Sequence, residues 1–377
     1  MTEIRLVQTS APDIGNAEHA AVARVLDSGY FGMGPEVSAF EQELGAYIGG
    51  DRSVICTATG TAALHLAMKS AGIGPGDEVL LPALTFVGSF QAVAATGARP
   101  VACDVQLDSG LIDIDDAQRR LTPRTRAIMP VHYAGYAGDL DAVHDFARKR
   151  GLRVIEDAAH AFGSRCRGRL IGSFGDIVCF SFDPIKNITA GQGGAVVTED
   201  AEVAADVRLR RELGIERGAG LGASADFDVG RLGWRYAMSD LMAAIGRVQL
   251  ARFESDLKPA RLARANEYRT RLGAIAGLSQ LLSDDEAVPH IAPVRINPGA
   301  RDAVSSALAA AGFETRVHYK PNHLLRMFGD GEARPSAERL YRELLTLPLH
   351  AAVSFAHIRD IASIIRDEMA ARAQTPP

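Results

Sequence analysis

The stretch Val54-Ile55-Cys56-Thr57-Ala58-Thr59-Gly60-Thr61-Ala62-Ala63-Leu64 passes from one periodicity to another within a few residues. Val54–Cys56 is an uninterrupted apolar run, the pattern of a strand covered on both faces. From Gly60 to Ala71 the apolar residues recur at helical spacing, and the Thr-Gly junction suits a helix start. A strand that feeds directly into a helix is the first part of a crossover unit.

The unit repeats along the chain. Strands are expected at Glu78–Leu81, Pro100–Asp104, Ala127–Val131 and Arg153–Glu156. Helices are expected between them at Val87–Ala95, Asp115–Leu121 and Asp139–Lys149. Val178–Phe182 and Gly194–Thr198 extend the series of strands. Upstream, helical spacing over Asn16–Asp27 stops at Ser28-Gly29, and over Val37–Ile48 it stops at Gly49-Gly50. Strands alternating with helices predict an α/β fold, a mainly parallel mixed sheet flanked by helices. In such sheets ligands gather at the carboxyl ends of the strands.

Further on, Ser239–Leu272 reads as one long helical stretch that Pro259 should bend or break. Past about Ala260 come short strands such as Ala292–Ile296 and helices such as Arg301–Ala311. The expectation is a large domain over 1–255 and a smaller α+β C-terminal domain over 256–377. The tail Gln374–Pro377 is expected to be disordered.

A net charge of -5 offers no broad positive field, so neither nucleic acid nor an anionic membrane is an expected partner. Any bound anion needs a local site. The four cysteines, Cys56, Cys103, Cys166 and Cys179, are scattered without a C-x-x-C pair, so no disulfide framework and no metal site is expected. Cys56, Cys103 and Cys179 lie in apolar runs and read as buried. Met1–Ser10 lacks the apolar core of a secretory signal, and no run is long enough to span a bilayer. The expected location is the cytoplasm.

Four elements carry candidate chemistry. In Phe180-Ser181-Phe182-Asp183-Pro184-Ile185-Lys186-Asn187, a buried strand ends, a proline turns the chain and a lysine follows. A lysine in a site that lowers its pKa can attack a carbonyl and form a Schiff base. Taken alone, it would be a surface lysine. In Val154-Ile155-Glu156-Asp157-Ala158-Ala159-His160, Asp157 ends an apolar strand, where a carboxylate could keep a pyridine nitrogen protonated; alone it reads as a cap or turn residue. Thr57–Leu64 opens a helix whose first amides suit a phosphate, with Ser181 offering a hydroxyl. Thr85-Phe86 follows a strand, and the Phe86 ring could stack on a planar ligand. His132 and His350 read as structural histidines. Arg208, Arg210 and Arg211 read as a solvated helix face.

Taken in order, these elements resemble the DegT/DnrJ/StrS family of sugar aminotransferases, which has the aspartate aminotransferase fold, type I of the pyridoxal-phosphate enzymes. The likeness runs from about Pro12 to Ile365. It includes Ser28-Gly29, Gly34-Pro35 and Phe40-Glu41 early on, then His132, Gly135 and Asp139, and near the end Val317-His318-Tyr319 and Leu347-Pro348-Leu349-His350.

The resemblance implies pyridoxal 5'-phosphate as cofactor, alternating with pyridoxamine 5'-phosphate. Lys186 would hold it covalently and then shuttle the proton, and Asp157 would pair with the ring nitrogen. His160 would sit near the 3-hydroxyl, and Phe86 would stack on the ring. Gly60, Thr61 and Ser181 would bind the phosphate, with the Ala62 amide helping. A homodimer with shared active sites is implied. The sequence departs from the family at Arg235 and Ala237, where an asparagine and an arginine commonly precede Met-Ser; Arg235 would take over phosphate binding across the dimer. Gln192 stands where glutamate is usual, and Asp183 where histidine is common. Trp234 is expected near the dimer contact. His318 and Tyr319 are candidates for contact with substrate in the cleft.

The implied reaction moves an amino group from glutamate to a keto-deoxy sugar, expected in nucleotide-linked form, for lipopolysaccharide, glycan or secondary-metabolite synthesis. The alternatives are a keto-cyclitol acceptor, a pyridoxal-phosphate sugar dehydratase, or a non-catalytic regulatory protein on the same fold. Relatives of the dehydratase kind resemble this chain but carry histidine in place of Lys186.

Overall fold

The computed structural model describes residues 6–217, 226–281, 283–297 and 299–373. The tail 374–377, expected to be disordered, lies outside the described residues, as do 1–5 of the N-terminal stretch. Two helices, α1 (Asn16–Ser28) and α2 (Pro35–Ile48), precede β1 (Ser53–Thr57). Along β1 the side chains alternate between two covered faces. Ile55 packs in an apolar cluster with Ala63, Leu66 and Ala67 of α3 (Gly60–Ser70). Val54 and Cys56 pack in another cluster with Val37, Phe40 and Leu44 of α2. This double burial is why the strand reads as an unbroken apolar run.

The alternation continues through β2 (Glu78–Pro82), α4 (Val87–Ala95), β3 (Arg99–Cys103), α5 (Ile114–Arg120), β4 (Thr125–Ile128), α6 (Leu140–Arg150) and β5 (Arg153–Asp157). A two-residue ribbon, β6 (Arg165–Cys166) and β7 (Arg169–Leu170), leads to β8 (Ile177–Ser181) and β9 (Gly194–Thr198). The main sheet has the order β1-β9-β8-β5-β4-β2-β3. The pairs β2–β3, β2–β4, β4–β5 and β5–β8 are parallel, whereas β9 pairs antiparallel with both β8 and β1. The expected α/β architecture, mainly parallel and mixed, is what is found.

After β9 come α7 (Ala201–Arg210), a hairpin of β10 (Ile215–Arg217) and β11 (Phe227–Val229), and α8 (Asp240–Ala251). The run then passes through a π turn at Phe253–Leu257 into α9 (Lys258–Leu272). The expected break therefore lies upstream of Pro259. Pro259 occupies the first turn of α9, where its missing N–H costs nothing. The π turn instead carries Phe253 into an aromatic group with Phe162, at 5.2 Å between centroids, and Tyr47, at 6.0 Å.

The rest of the chain forms β12 (Leu278–Gln280), β13 (Ala292–Ile296), α10 (Arg301–Ala310), α11 (Pro335–Glu343), β14 (Leu344–Leu347) and α12 (Phe355–Ala373). These three strands make a separate antiparallel sheet. Its apolar cluster draws on α9, α10 and α12 through Leu272, Val304, Leu308, Ile358 and Ile361.

The arginine run needs correction. Arg208 is exposed, but Arg211 is buried, where it donates to Glu41 and to the carbonyl of Cys56. A buried guanidinium is tolerated because a carboxylate and a carbonyl meet it. His132 and His350 are buried and bonded, to Glu156 Oε2 at 2.9 Å and to the Gln8 carbonyl at 3.0 Å. Cys56, Cys103 and Cys179 are buried free thiols, and Cys166 is half-buried.

Candidate active site

The carboxyl ends of β1, β2, β5 and β8 and the amino end of β9 border one cavity of about 320 Å3. Lys186, Asp157, Ser181, Gly60, Thr61, Phe86, His160, His318 and Tyr319 all line it. Ala62 and Arg235 do not. The Ala62 N–H is engaged by the Thr59 hydroxyl oxygen, which caps α3 at 3.0 Å. Arg235 is exposed, in a bridge to Glu212 and beside Trp234, whose ring meets His65 at 4.5 Å.

Close approach of backbone explains two glycines at the α3 amino end. A Cβ on Gly60 would lie 2.7 Å from Ser181 Cβ, and one on Gly194 would lie 2.6 Å from the Thr59 carbonyl oxygen. The start of β9 and the end of β8 are thereby pressed against the first turn of α3. That turn brings unpaired N–H groups and the positive end of the helix dipole to the Ser181 hydroxyl.

Asp157 ends β5 and is buried. Its Oδ2 accepts from the Ser89 hydroxyl at 2.7 Å, and its Oδ1 from the Ala159 N–H at 3.2 Å. Ser89 in turn meets Thr85 Oγ1 at 3.0 Å. Thr85 precedes α4 and Ser89 lies in its first turn, and no pattern in the sequence marks Ser89. Phe86, at the start of α4, is 55% exposed over the cavity, and its ring is 5.8 Å from that of Tyr319.

Lys186 follows β8 through a turn closed by its own N–H to the Asp183 carbonyl at 3.0 Å. Desolvation lowers its ammonium to about 8, against the opposing charges of Asp157 and Asp183. Three imidazoles surround it. Burial and the lysine charge hold His160 and His290 well below the usual histidine range, and the same causes bring His318 to about 4. His160 Nδ1 accepts from the Ala134 N–H at 3.3 Å, so its hydrogen sits on Nε2, which meets Tyr319 Oη at 3.2 Å. His318 Nδ1 is 2.9 Å from Thr346 Oγ1, and its carbonyl accepts from Tyr133 Oη. His290, from the loop before β13, brings Nε2 to 3.4 Å from Lys186 Nζ. Sequence reasoning missed His290, because nothing near it in the chain marks it.

Comparisons with known proteins give the family. Residues 12–366 match the model of the DegT/DnrJ/EryC1/StrS aminotransferase family. A Streptomyces venezuelae protein, dTDP-3-amino-3,4,6-trideoxy-alpha-D-glucose transaminase, is 39% identical over 339 residues, covering 88% of this chain and 86% of that protein. The crystal structure of the aminotransferase TlmJ from Streptoalloteichus hindustanus superposes with a TM-score of 0.91 at 35% identity, covering 97% of this chain and all of that one. Spr1654 from Streptococcus pneumoniae, in its PLP form, gives a TM-score of 0.90 at 28% identity, covering 97% of this chain and 99% of that one. The chain belongs to the DegT/DnrJ/EryC1/StrS aminotransferase family.

Proposed function

We propose that this aminotransferase uses pyridoxal 5'-phosphate to move an amino group from glutamate to a keto-deoxy sugar linked to a nucleotide. The observation that carries the reading is the convergence of a desolvated lysine amine and a buried carboxylate in one cavity beside a helix amino end. The relatives' names support the sugar and the nucleotide.

The cavity suits the cofactor on its own terms. The approach of Gly60 to Ser181 leaves a notch beside the α3 amino end that a larger residue would fill. Gly60, Thr61 and Ser181 would hold the phosphate there, with the Ala62 amide joining if the Thr59 cap yields. Phe86 would cover the ring, and His160 would lie near its 3-hydroxyl. Asp157, fixed by Ser89, would hold a proton on the ring nitrogen. When bound, the cofactor supplies an electron sink for a carbon that gives up its proton.

The residues then divide the work. Lys186 would anchor the cofactor through its Nζ and, when free, would take and return a proton there as a general base and acid. Asp157 would present its carboxylate to the ring nitrogen. Tyr319, with its Oη beside His160 Nε2, orients the substrate carbonyl together with His318. The Phe86 and Tyr319 rings narrow the mouth and exclude water.

A homodimer with shared active sites belongs to the same proposal. It is supported by apolar side chains exposed near the β10–β11 hairpin: Phe227, Val229 and Leu232 at 64%, 51% and 69%. Arg235, exposed beside them, would reach the phosphate of the partner's site. The division into a large portion over 1–255 and a small one over 256–377 is supported by the separate sheet and cluster of the C-terminal part. Among the described residues no helix is long and apolar enough to cross a membrane. We place the enzyme in the cytoplasm, supplying amino sugars for lipopolysaccharide, other glycans or secondary metabolites. A panel of keto nucleotide sugars with glutamate as donor tests the reading; absence of any amino sugar product would refute it.

A further inference from the structure

We propose that His290 is the hydrogen-bond post that receives the Lys186 amine when it is not bonded to the cofactor, and so aims it for proton transfer. The proposal rests on the reading of Lys186 given above.

His290 is 2% exposed, and its Nε2 lies 3.4 Å from Lys186 Nζ. A lysine ammonium has only hydrogens to offer, so Nε2 must present its lone pair to it and Nδ1 must carry the imidazole hydrogen. That Nδ1 is buried without a hydrogen-bond partner. A buried donor left without a partner costs stability, and an apolar residue of similar size would avoid that cost. The ring is nevertheless held firmly. Its backbone N–H donates to the Ala134 carbonyl at 3.2 Å, and its own carbonyl accepts from Arg261 Nη1 at 3.1 Å. The His160 ring lies 4.4 Å away on one side. An anchored imidazole that gives up a partner at one nitrogen to face the lysine with the other is placed for function rather than for packing.

The groups that govern this pair come from several elements. Asp157 at the end of β5 and Asp183 in the lysine turn favour the Lys186 ammonium. His160, His318 and Arg261 of α9 face His290; burial above all, and then the charge of Lys186, keeps it neutral. A neutral acceptor stabilises the ammonium without competing for its charge. It gives the displaced side chain one resting position in place of several, which favours proton transfer at a fixed carbon.

The test uses the holoenzyme. Borohydride first fixes the cofactor, and mass spectrometry of the peptide shows whether the link is at Lys186. Absence of that link refutes the lysine reading itself, independently of His290. With the link established, His290→Leu and His290→Gln are compared after glutamate has freed the lysine. The readouts are kcat, KM for the keto sugar, and the pH midpoint for acylation of Lys186. His290→Leu keeps the site dry but removes the acceptor. Its acylation midpoint should fall by about half a unit or more, since hydrogen bonding no longer favours the charged form. Its kcat should drop roughly ten-fold or more with KM nearly unchanged, because the amine is freer but badly aimed. His290→Gln, whose amide oxygen can accept, should recover a large part of both. Should His290→Leu fail to fold, His290→Ala replaces it in the same comparison. Equal midpoints and equal kcat in the glutamine and apolar variants overturn the proposal.

Discussion

The Ser89 hydroxyl, on α4, donates to Asp157 Oδ2 at the end of β5, 68 residues away in the chain, at 2.7 Å. The contact ties the helix that follows β2 to the acid of β5. Removing the hydroxyl forfeits a hydrogen bond to a charged group, worth about 1.5–3 kcal/mol. Ser89→Ala should lower kcat/KM about ten-fold or more at that cost. Asp157→Asn should be more severe, leaving the cofactor bound while the donor half-reaction slows. Stopped-flow absorbance with glutamate alone measures both, and an unchanged rate in Asp157→Asn would remove its carboxylate from the mechanism.

Lys186→Ala should reduce turnover by more than about 10²-fold, the lower range for a lost general acid and base. The fold should persist, because the side chain packs in the cavity rather than in any of the apolar clusters. Circular dichroism melting and turnover, measured side by side, separate these effects. Normal turnover in the variant would dispose of the proposed role.

Gly194→Ala places a carbon 2.6 Å from the Thr59 carbonyl oxygen, where backbone and not a flexible side chain must yield. The strain of such overpacking is about 1–3 kcal/mol. The expected result is a lower melting temperature together with weaker cofactor retention on dialysis. A variant as stable as the parent, with cofactor equally tight, would show that β9 can draw away from α3 without consequence.

The pH profile follows from the lysine. As a base its amine must be neutral, and the neutral form accumulates above its pKa. The rate of the step in which free Lys186 removes a proton should therefore rise as pH climbs through about 8. His318, at about 4, and His160, lower than usual, stay uncharged over the same range and should add no limb near pH 6.5. Single-turnover rates from pH 5 to 10 decide the matter. A midpoint that stays in place when Asp183 is changed to Asn would contradict the part assigned to that charge, whose loss should lower it.

Much of this was legible because strands buried on both faces leave a plain apolar signature and ligand-bearing residues fall just after them. Asp157, Ser181, Gly60 and Lys186 could be found by looking at strand ends. His290 and Ser89 could not, because their significance is a contact made by folding distant segments together. Arg211 misled for the same reason: its neighbours in sequence are exposed or half-buried, while Glu41 and the Cys56 carbonyl reach it from elsewhere. Pro259 marked the start of α9 and not the preceding break, since the π turn is imposed by where Phe253 must pack.

The reversed direction of β9 has a mechanical consequence. Because it runs opposite to β8, the polypeptide carrying Lys186 doubles straight back to the adjoining strand without crossing the sheet. Both flanks of that return are clipped into the same rigid floor, so the segment itself has little room to travel. Whatever excursion the amine makes during a turnover must come from rotation about the four methylenes of its own stem, like a crane arm swinging from a fixed deck.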